Sequence, residues 1–280
     1  MAKPKIVLTG LRVGESPRWH AGRLWFSNWG AQEIIAVDAD GHSQVMARVS
    51  TTVPFCIDWL PDGRLLVVSG QEAQLLRQEP DGSFVTHANL RQLAKVWNEI
   101  VVDGRGNIYV NGHDFDFGGG PFIPGIIALV TPDGSVRQVA DDIAFPNGMT
   151  VTPDNKTLII AESFANRLTA FNIAADGSLS NRRAWAELGQ SGDGICMDAE
   201  GAVWVASQKS AVRIREGGEV LQRIELDLFA FACMLGGVDR KTLFILAAEW
   251  RGVGNMAAMF QGNTGQVLTV AAPAPKAGWP

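Results

Sequence analysis

Residues 191–207 read SGDGICMDAEGAVWVAS. A polar turn leads into a short apolar strand, Ile195–Met197; an Asp-Ala-Glu-Gly turn follows, then a second apolar strand, Ala202–Ala206. Turn chemistry and β-branched content make this a β-hairpin. One residue departs from a plain hairpin: Asp193, flanked by Gly192 and Gly194, stands immediately before a strand that should be buried. A carboxylate entering a core requires a partner, commonly a cation or a metal. The glycines permit close approach of backbone or ligand.

The pattern recurs. Aligning the apolar residue in the second strand of each hairpin gives Trp25, Leu66, Tyr109, Ile159, Trp204 and Phe244, with gaps of 41, 43, 50, 45 and 40 residues. A turn precedes each, such as Pro61-Asp62-Gly63 or Asp103-Gly104-Arg105-Gly106. Six copies rich in short strands predict an all-β fold, a six-bladed β-propeller with four antiparallel strands per blade. Helical repeats of this period need apolar residues at i, i+3 and i+4; these segments alternate or run continuously apolar. Strands at residues 5–12 and 266–271 should complete the last blade and close the ring, which removes the open sheet edge. The repeat tiles residues 1–280, so a single domain is expected. The tail Pro273–Pro280 is expected on the surface, with Trp279 available to pin it.

In this frame the position of Asp193 is held by Glu15, Phe55, Asn98, Asn147, Asp193 and Ala232, allowing one-residue shifts. Innermost strands surround the channel of a propeller, so these positions form a ring at one mouth. Glu15, Asn98, Asn147 and Asp193 bear oxygen. Four such residues from four blades describe a hard divalent-cation site. Asp and Asn are also common turn residues, but Glu15 is not a turn former.

Four segments carry a resemblance: Gly14-Glu15-Ser16-Pro17, the segment around Asn98, Phe145-Pro146-Asn147-Gly148, and Gly192-Asp193-Gly194-Ile195-Cys196-Met197-Asp198. Taken in order along the whole chain, they are similar to the signature segments of the SMP-30/gluconolactonase family, six-bladed lactonases with one divalent metal. The resemblance implies that Glu15, Asn147 and Asp193 bind the metal directly. It also implies that Asp193 is the general base and that Asn98 faces the substrate or completes the shell. The chain departs from the family in two places. Asn98-Glu99 stands where the family has Asn-Asp, and Val96 stands where animal gluconolactonases carry Arg.

The implied reaction is hydrolysis of a sugar lactone or related small lactone. The cation polarises the carbonyl and acidifies water, Asp193 takes the proton, and Asn98 hydrogen-bonds the developing oxyanion. An oxygen ring suits Ca²⁺, Mg²⁺ or Mn²⁺; Zn²⁺ and Fe²⁺ stay open. Rival readings are an esterase or phosphotriesterase on the same scaffold, a non-catalytic sugar- or partner-binding propeller, and a strictosidine-synthase-like propeller.

Loops after each second strand share the mouth of the ring. The longest, residues 111–124, explains most of the 50-residue gap, and Gly118-Gly119-Gly120 is a candidate hinge for a lid. His113, Asp114 and Asp116 read as a polar pocket wall, with His113 and Asp116 as substrate contacts; holding a metal or shuttling protons is the alternative. Trp29, Trp97 and Trp250 are available to stack on a ring substrate, whereas Trp19, Trp25, Trp59 and Trp204 read as packing between blades.

Composition narrows the partners. With 24 basic and 29 acidic residues the net charge is −5, and no basic cluster points to nucleic acid or an anionic membrane. No apolar stretch approaches 18 residues, and no signal peptide is read. Cys56, Cys196 and Cys233 lie in or beside apolar strands and read as small buried hydrophobes. A cytoplasmic enzyme acting on a small molecule is expected.

Overall fold

The computed structural model describes residues 3–116 and 120–280. Six antiparallel sheets follow one another along the chain. The first blade comprises Gly14–His20, Arg23–Asn28, Glu33–Val37 and Ser43–Arg48; the second, Phe55–Trp59, Leu65–Ser69, Gln74–Gln78 and Phe84–Asn89. The third runs Val96–Val102, Ile108–His113, Gly125–Val130 and Val136–Ile143; the fourth, Pro146–Val151, Thr157–Glu162, Arg167–Ile173 and Leu179–Glu187. Ile195–Asp198, Val203–Ser207, Ser210–Ile214 and Val220–Glu225 make the fifth. The sixth takes Phe229–Gly236, Thr242–Ala248 and Gly265–Ala271 from the C-terminal end and Lys5–Leu11 from the N-terminal end. The six second strands are the ones the repeat predicts, and the architecture is a six-bladed β-propeller.

Sequence sets the radial order. The first strand of each blade packs against the first strands of both neighbours, so these six line the axis. They are almost wholly buried, as in FCIDW at 55–59, and accordingly carry apolar residues on both faces. Outer strands such as VRQVADDI at 136–143 have much of their length in solvent and are accordingly polar. The turns between first and second strands repeat one device. Asp103 Oδ1 accepts from the amides of Arg105 and Asn107, and Asp198 Oδ1 from those of Glu200 and Ala202. These are Asx turns, in which the side chain replaces a backbone acceptor. The outer N-terminal strand pairs antiparallel with Gly265–Ala271, Lys5 lying opposite Thr269, so both ends of the chain join one blade and the sixth sheet keeps no unpaired third strand.

Two features depart from the sequence expectation. The C-terminal tail is built into the fold instead of lying over it. Lys276–Ala277 pairs with the inner strand of the fifth blade, Met197 opposite Ala277. Trp279 exchanges backbone hydrogen bonds with Val151 of the fourth blade at 2.8 and 2.9 Å, and its ring packs on Gly104 of the third. The tail thus crosses the end of the channel opposite the ring. The second feature is a short helix, Met256–Gln261, between the second and third strands of the sixth blade. Of the proposed hinge, Gly118 and Gly119 lie outside the described residues.

Trp packing follows expectation at the blade interfaces. Trp19 stacks on Phe244 (5.4 Å) and Trp25 meets Trp59 edge-on (5.2 Å). Trp97 is fully buried, its Nε1 donating to the Ala94 carbonyl; it is core and does not reach the mouth. Burial pushes the Cys56 and Cys233 thiols well above their ordinary value, so neither offers a thiolate.

Candidate active site

A cavity of about 930 Å³ opens at the mouth where the inner strands begin, and Glu15, Asn98, Asn147 and Asp193 all line it. Backbone irregularities set these side chains. Register shifts interrupt the inner pairings between Glu15 and Arg18, Trp97 and Ile100, and Pro146 and Met149. A bulge re-aims a side chain out of the strand alternation. Left-handed backbone clusters beside the same residues, at Val13 (φ 65°), Ser16 (51°) and Phe145 (59°). For a β-branched valine and a phenylalanine this conformation is strained, and such strain concentrates at functional sites.

Two glycines bring Asn147 and Asp193 together. A Cβ on Gly148 would sit 2.6 Å from the Asp193 carbonyl oxygen; one on Gly194 would sit 2.6 Å from Ala232 Cβ. Only glycine allows the fourth, fifth and sixth inner strands to approach this closely. The Asn147 amide hydrogen-bonds the Asp193 carboxylate, and its Nδ2 also lies 3.3 Å from Ser163 Oγ. Asn98 Nδ2 reaches the Pro146 carbonyl at 3.4 Å.

The electrostatics are lopsided. Burial, then the Asp193 and Glu99 carboxylates, push Glu15 well above the usual carboxylate range. Burial and Glu99 do the same to Asp193, against the hydrogen bond from Asn147. Asp193 is partly exposed to the cavity yet lies deep within the molecule. Below the ring, Arg18 reaches across three blades. Its Nη2 donates to Glu99 Oε1 (3.1 Å) and the Ile100 carbonyl (2.6 Å), and its Nε lies 3.7 Å from Asp58 Oδ1. Glu99 and Asp58 outweigh burial and hold the guanidinium charged. Three carboxylates, Glu15, Asp58 and Glu99, thus feel one guanidinium, and Asp193 adds a fourth negative group to the ring.

That donor set fits a divalent cation. Two carboxylates and two amides present hard oxygen donors from four blades, and their charge exceeds what Arg18 offsets. A cation would restore the ordinary ionisation of Glu15 and Asp193. Among the described residues a further acidic group, Asp38, Asp40 and His42, sits exposed in the turn after the third strand of the first blade. There Asp38 Oδ1 accepts from the Asp40 and His42 amides, which is turn capping.

The remaining anticipated residues divide as follows. Trp29, His113, Asp114, Asp116 and Trp250 line the cavity. Trp29 is oriented by its Nε1 bond to the Phe55 carbonyl (2.7 Å), and His113 packs 5.2 Å from Phe145. The apolar ring members are displaced by one residue: Pro54 and Phe231 line the cavity, not Phe55 and Ala232. In the sixth blade a register shift between Ala230 and Ala232 accounts for the displacement. Arg18 and Asp58 were missed by the sequence reading, although charges within the apolar inner strands GESPRWH and FCIDW were a visible signal. The wall residues Phe229 and Phe260 were missed as well.

Comparison with known proteins agrees with this architecture. The family profile for the SMP-30/Gluconolactonase/LRE-like region matches residues 13–249. Regucalcin of Xenopus laevis is 26% identical over 260 residues, spanning 87% of this chain and 85% of its own. Pentonolactonase XacC of Haloferax volcanii is 24% identical over 266 residues, covering 91% and 88%. Among solved structures, a luciferin-regenerating enzyme superposes with a TM-score of 0.82 at 20% identity, covering 98% of each chain. The propeller, the four-blade ring of oxygen donors and the span of the profile lead to one assignment: the chain belongs to the SMP-30/gluconolactonase/LRE-like family.

Proposed function

We propose that the chain is a divalent-metal-dependent lactonase, with Glu15, Asn147 and Asp193 as metal ligands, Asp193 as general base and Asn98 as a substrate contact. The observation that carries this reading is the convergence of Glu15 and Asp193, both pushed up by burial and by neighbouring carboxylates, with two amides at the floor of one cavity. The name of the Haloferax relative supports a lactone as the bond attacked.

A divalent cation held there supplies Lewis acidity toward the carbonyl and acidifies water. The protein's own residues do the rest. The Asp193 carboxylate takes the proton of the attacking water. Water oxygen bonds to the carbonyl carbon, the ring C–O bond breaks, and the proton passes to the departing ring oxygen, giving a hydroxy acid. Asn98 Nδ2 is a donor toward the developing oxyanion, held against the Pro146 carbonyl until then. Glu99 has its Oε1 committed to Arg18 and the Ile100 amide, which leaves Asp193 the better-placed base.

The same reading places a small molecule in the cavity and the protein in the cytoplasm, supported by three unpaired cysteines. No helix among the described residues is long and apolar enough to cross a membrane. Acid release from a panel of lactones, an aryl ester and a phosphotriester tests the proposal, with added Mg²⁺, Ca²⁺, Mn²⁺ or Zn²⁺ and after chelation. Lactone turnover that vanishes on chelation and returns with one cation is expected. Turnover of the phosphotriester alone, or full activity without metal, would overturn it.

A further inference from the structure

The cavity floor is polar, whereas two stretches of its wall are aromatic. Phe115, Phe145 and Phe164 form one wall from the third and fourth blades. Phe145 stacks on Phe164 at 4.7 Å and 17°, and Phe115 meets Phe164 edge-on at 5.7 Å. Phe229, Phe231 and Trp250 form another on the sixth blade, Phe229 stacking on Trp250 at 5.6 Å. The helix Met256–Gln261 adds Met256, Met259 and Phe260, and Phe260 meets Trp29 at 6.0 Å. Phe122, Phe164 and Trp250 remain 43, 50 and 41% exposed. Large rings left in solvent around a concave site mark a binding surface.

Several polar side chains beside these rings are turned to the protein. Gln71 Nε2 donates to the Val53 carbonyl (2.9 Å), Ser163 Oγ to the Gly192 carbonyl (2.7 Å), and Asp114 Oδ1 accepts from the Lys95 amide (2.8 Å). A sugar lactone carries a hydroxyl on nearly every ring carbon. Each one buried against an aromatic face without a partner is penalised. A volume near 930 Å³ stands at the upper end of the range, about 300–1,000 Å³, that accepts drug-sized ligands.

Resting on the lactonase reading above, we infer that the substrate is a lactone bearing a large apolar substituent, aryl or branched alkyl, rather than a polyhydroxylated sugar lactone. The ester group lies at the oxygen ring, and the substituent extends between the two aromatic walls. The methionines of the helix adapt to its shape, and Glu162 fixes the Phe145 wall by accepting the Ala144 amide at 2.8 Å.

Three lactones with the same six-membered ring separate the possibilities: glucono-1,5-lactone, δ-valerolactone and δ-phenyl-δ-valerolactone. The phenyl lactone should exceed the sugar lactone in kcat/KM by about 100-fold, near the discrimination a hydrophobic pocket delivers. Trp250→Ala and Phe164→Ala should each lower the ratio of phenyl lactone to δ-valerolactone kcat/KM by about 10-fold, mainly through KM, since each removes one pocket ring. Equal or better use of glucono-1,5-lactone would overturn the inference. Should no lactone be hydrolysed, the lactonase reading fails, and binding of the corresponding lactams by calorimetry decides the inference alone. A tighter phenyl lactam upholds an apolar ligand; a sugar lactam that binds as tightly, or binding of neither, overturns it.

Discussion

Arg18 is the best place to perturb the charge balance of the channel. Its guanidinium is buried against Glu99 (3.1 Å) and Asp58 (3.7 Å), both themselves buried. Arg18→Met keeps the stem and removes the charge, leaving two carboxylates without their cation. Breaking a buried pair from one side typically costs about 3–5 kcal/mol. For 280 residues, an unfolding entropy of about 2 cal/mol/K per residue converts this to a fall in Tm of about 5–9 °C. The same substitution removes a positive charge that acts on Glu15, so cation affinity should rise as stability falls. Two assays follow, denaturant unfolding and metal-binding calorimetry, on Arg18→Met and on the triple variant with Glu99→Gln and Asp58→Asn. The triple variant should recover at least half of the lost stability, because the stranded charges are gone. A loss below 1 kcal/mol, or a triple variant no better than the single one, would refute the reasoning.

Gly194→Ala should cost about 1–3 kcal/mol, the usual range for overpacking, since its Cβ would lie 2.6 Å from Ala232 Cβ. It should weaken metal binding as well by displacing Asp193, and an unchanged Tm in denaturation would contradict the close approach. Burial lowers the Lys276 ammonium to about 8. Between pH 8 and about 10.5 the unfolded chain therefore binds more protons, and wild-type stability rises with pH across that window. Lys276→Met should be the more stable protein at pH 7, by at most about 3 kcal/mol before the lost bond to Gly278 is discounted, and the gap should close toward pH 10.5. A pH-independent difference in unfolding free energy would show that the ammonium is not strained.

The propeller was legible because its causes are local and repeated. Asp- and Gly-bearing turns such as Pro61-Asp62-Gly63, largely apolar inner strands and a 40–50-residue period are properties of short segments. The oxygen ring was legible for the same reason: Glu15, Asn98, Asn147 and Asp193 occupy one repeat position, and the fold makes repeat positions neighbours. What escaped depends on contacts between repeats. Phe231 took the place of Ala232 because of a bulge, which periodicity does not register. The helix at 256–261 hid in the last repeat, which borrows its outer strand from the N-terminus. Its extra length was thus masked as an ordinary tail. Trp97 and Trp250 look alike in sequence, but Gly112 admits the first into the core, while the second stays at the mouth. The tail's docking required Val151 and Gly104 to meet residues more than a hundred positions away.

The account stands on Asp193 being both ligand and base. The most direct measurement is kcat of Asp193→Asn across a cation titration, with occupancy read by calorimetry. The variant should still bind the cation, more weakly for the lost charge, and at saturation its kcat should be lower by about 10²–10⁴, the usual worth of a general base. A near wild-type kcat for the metal-saturated variant would contradict the account.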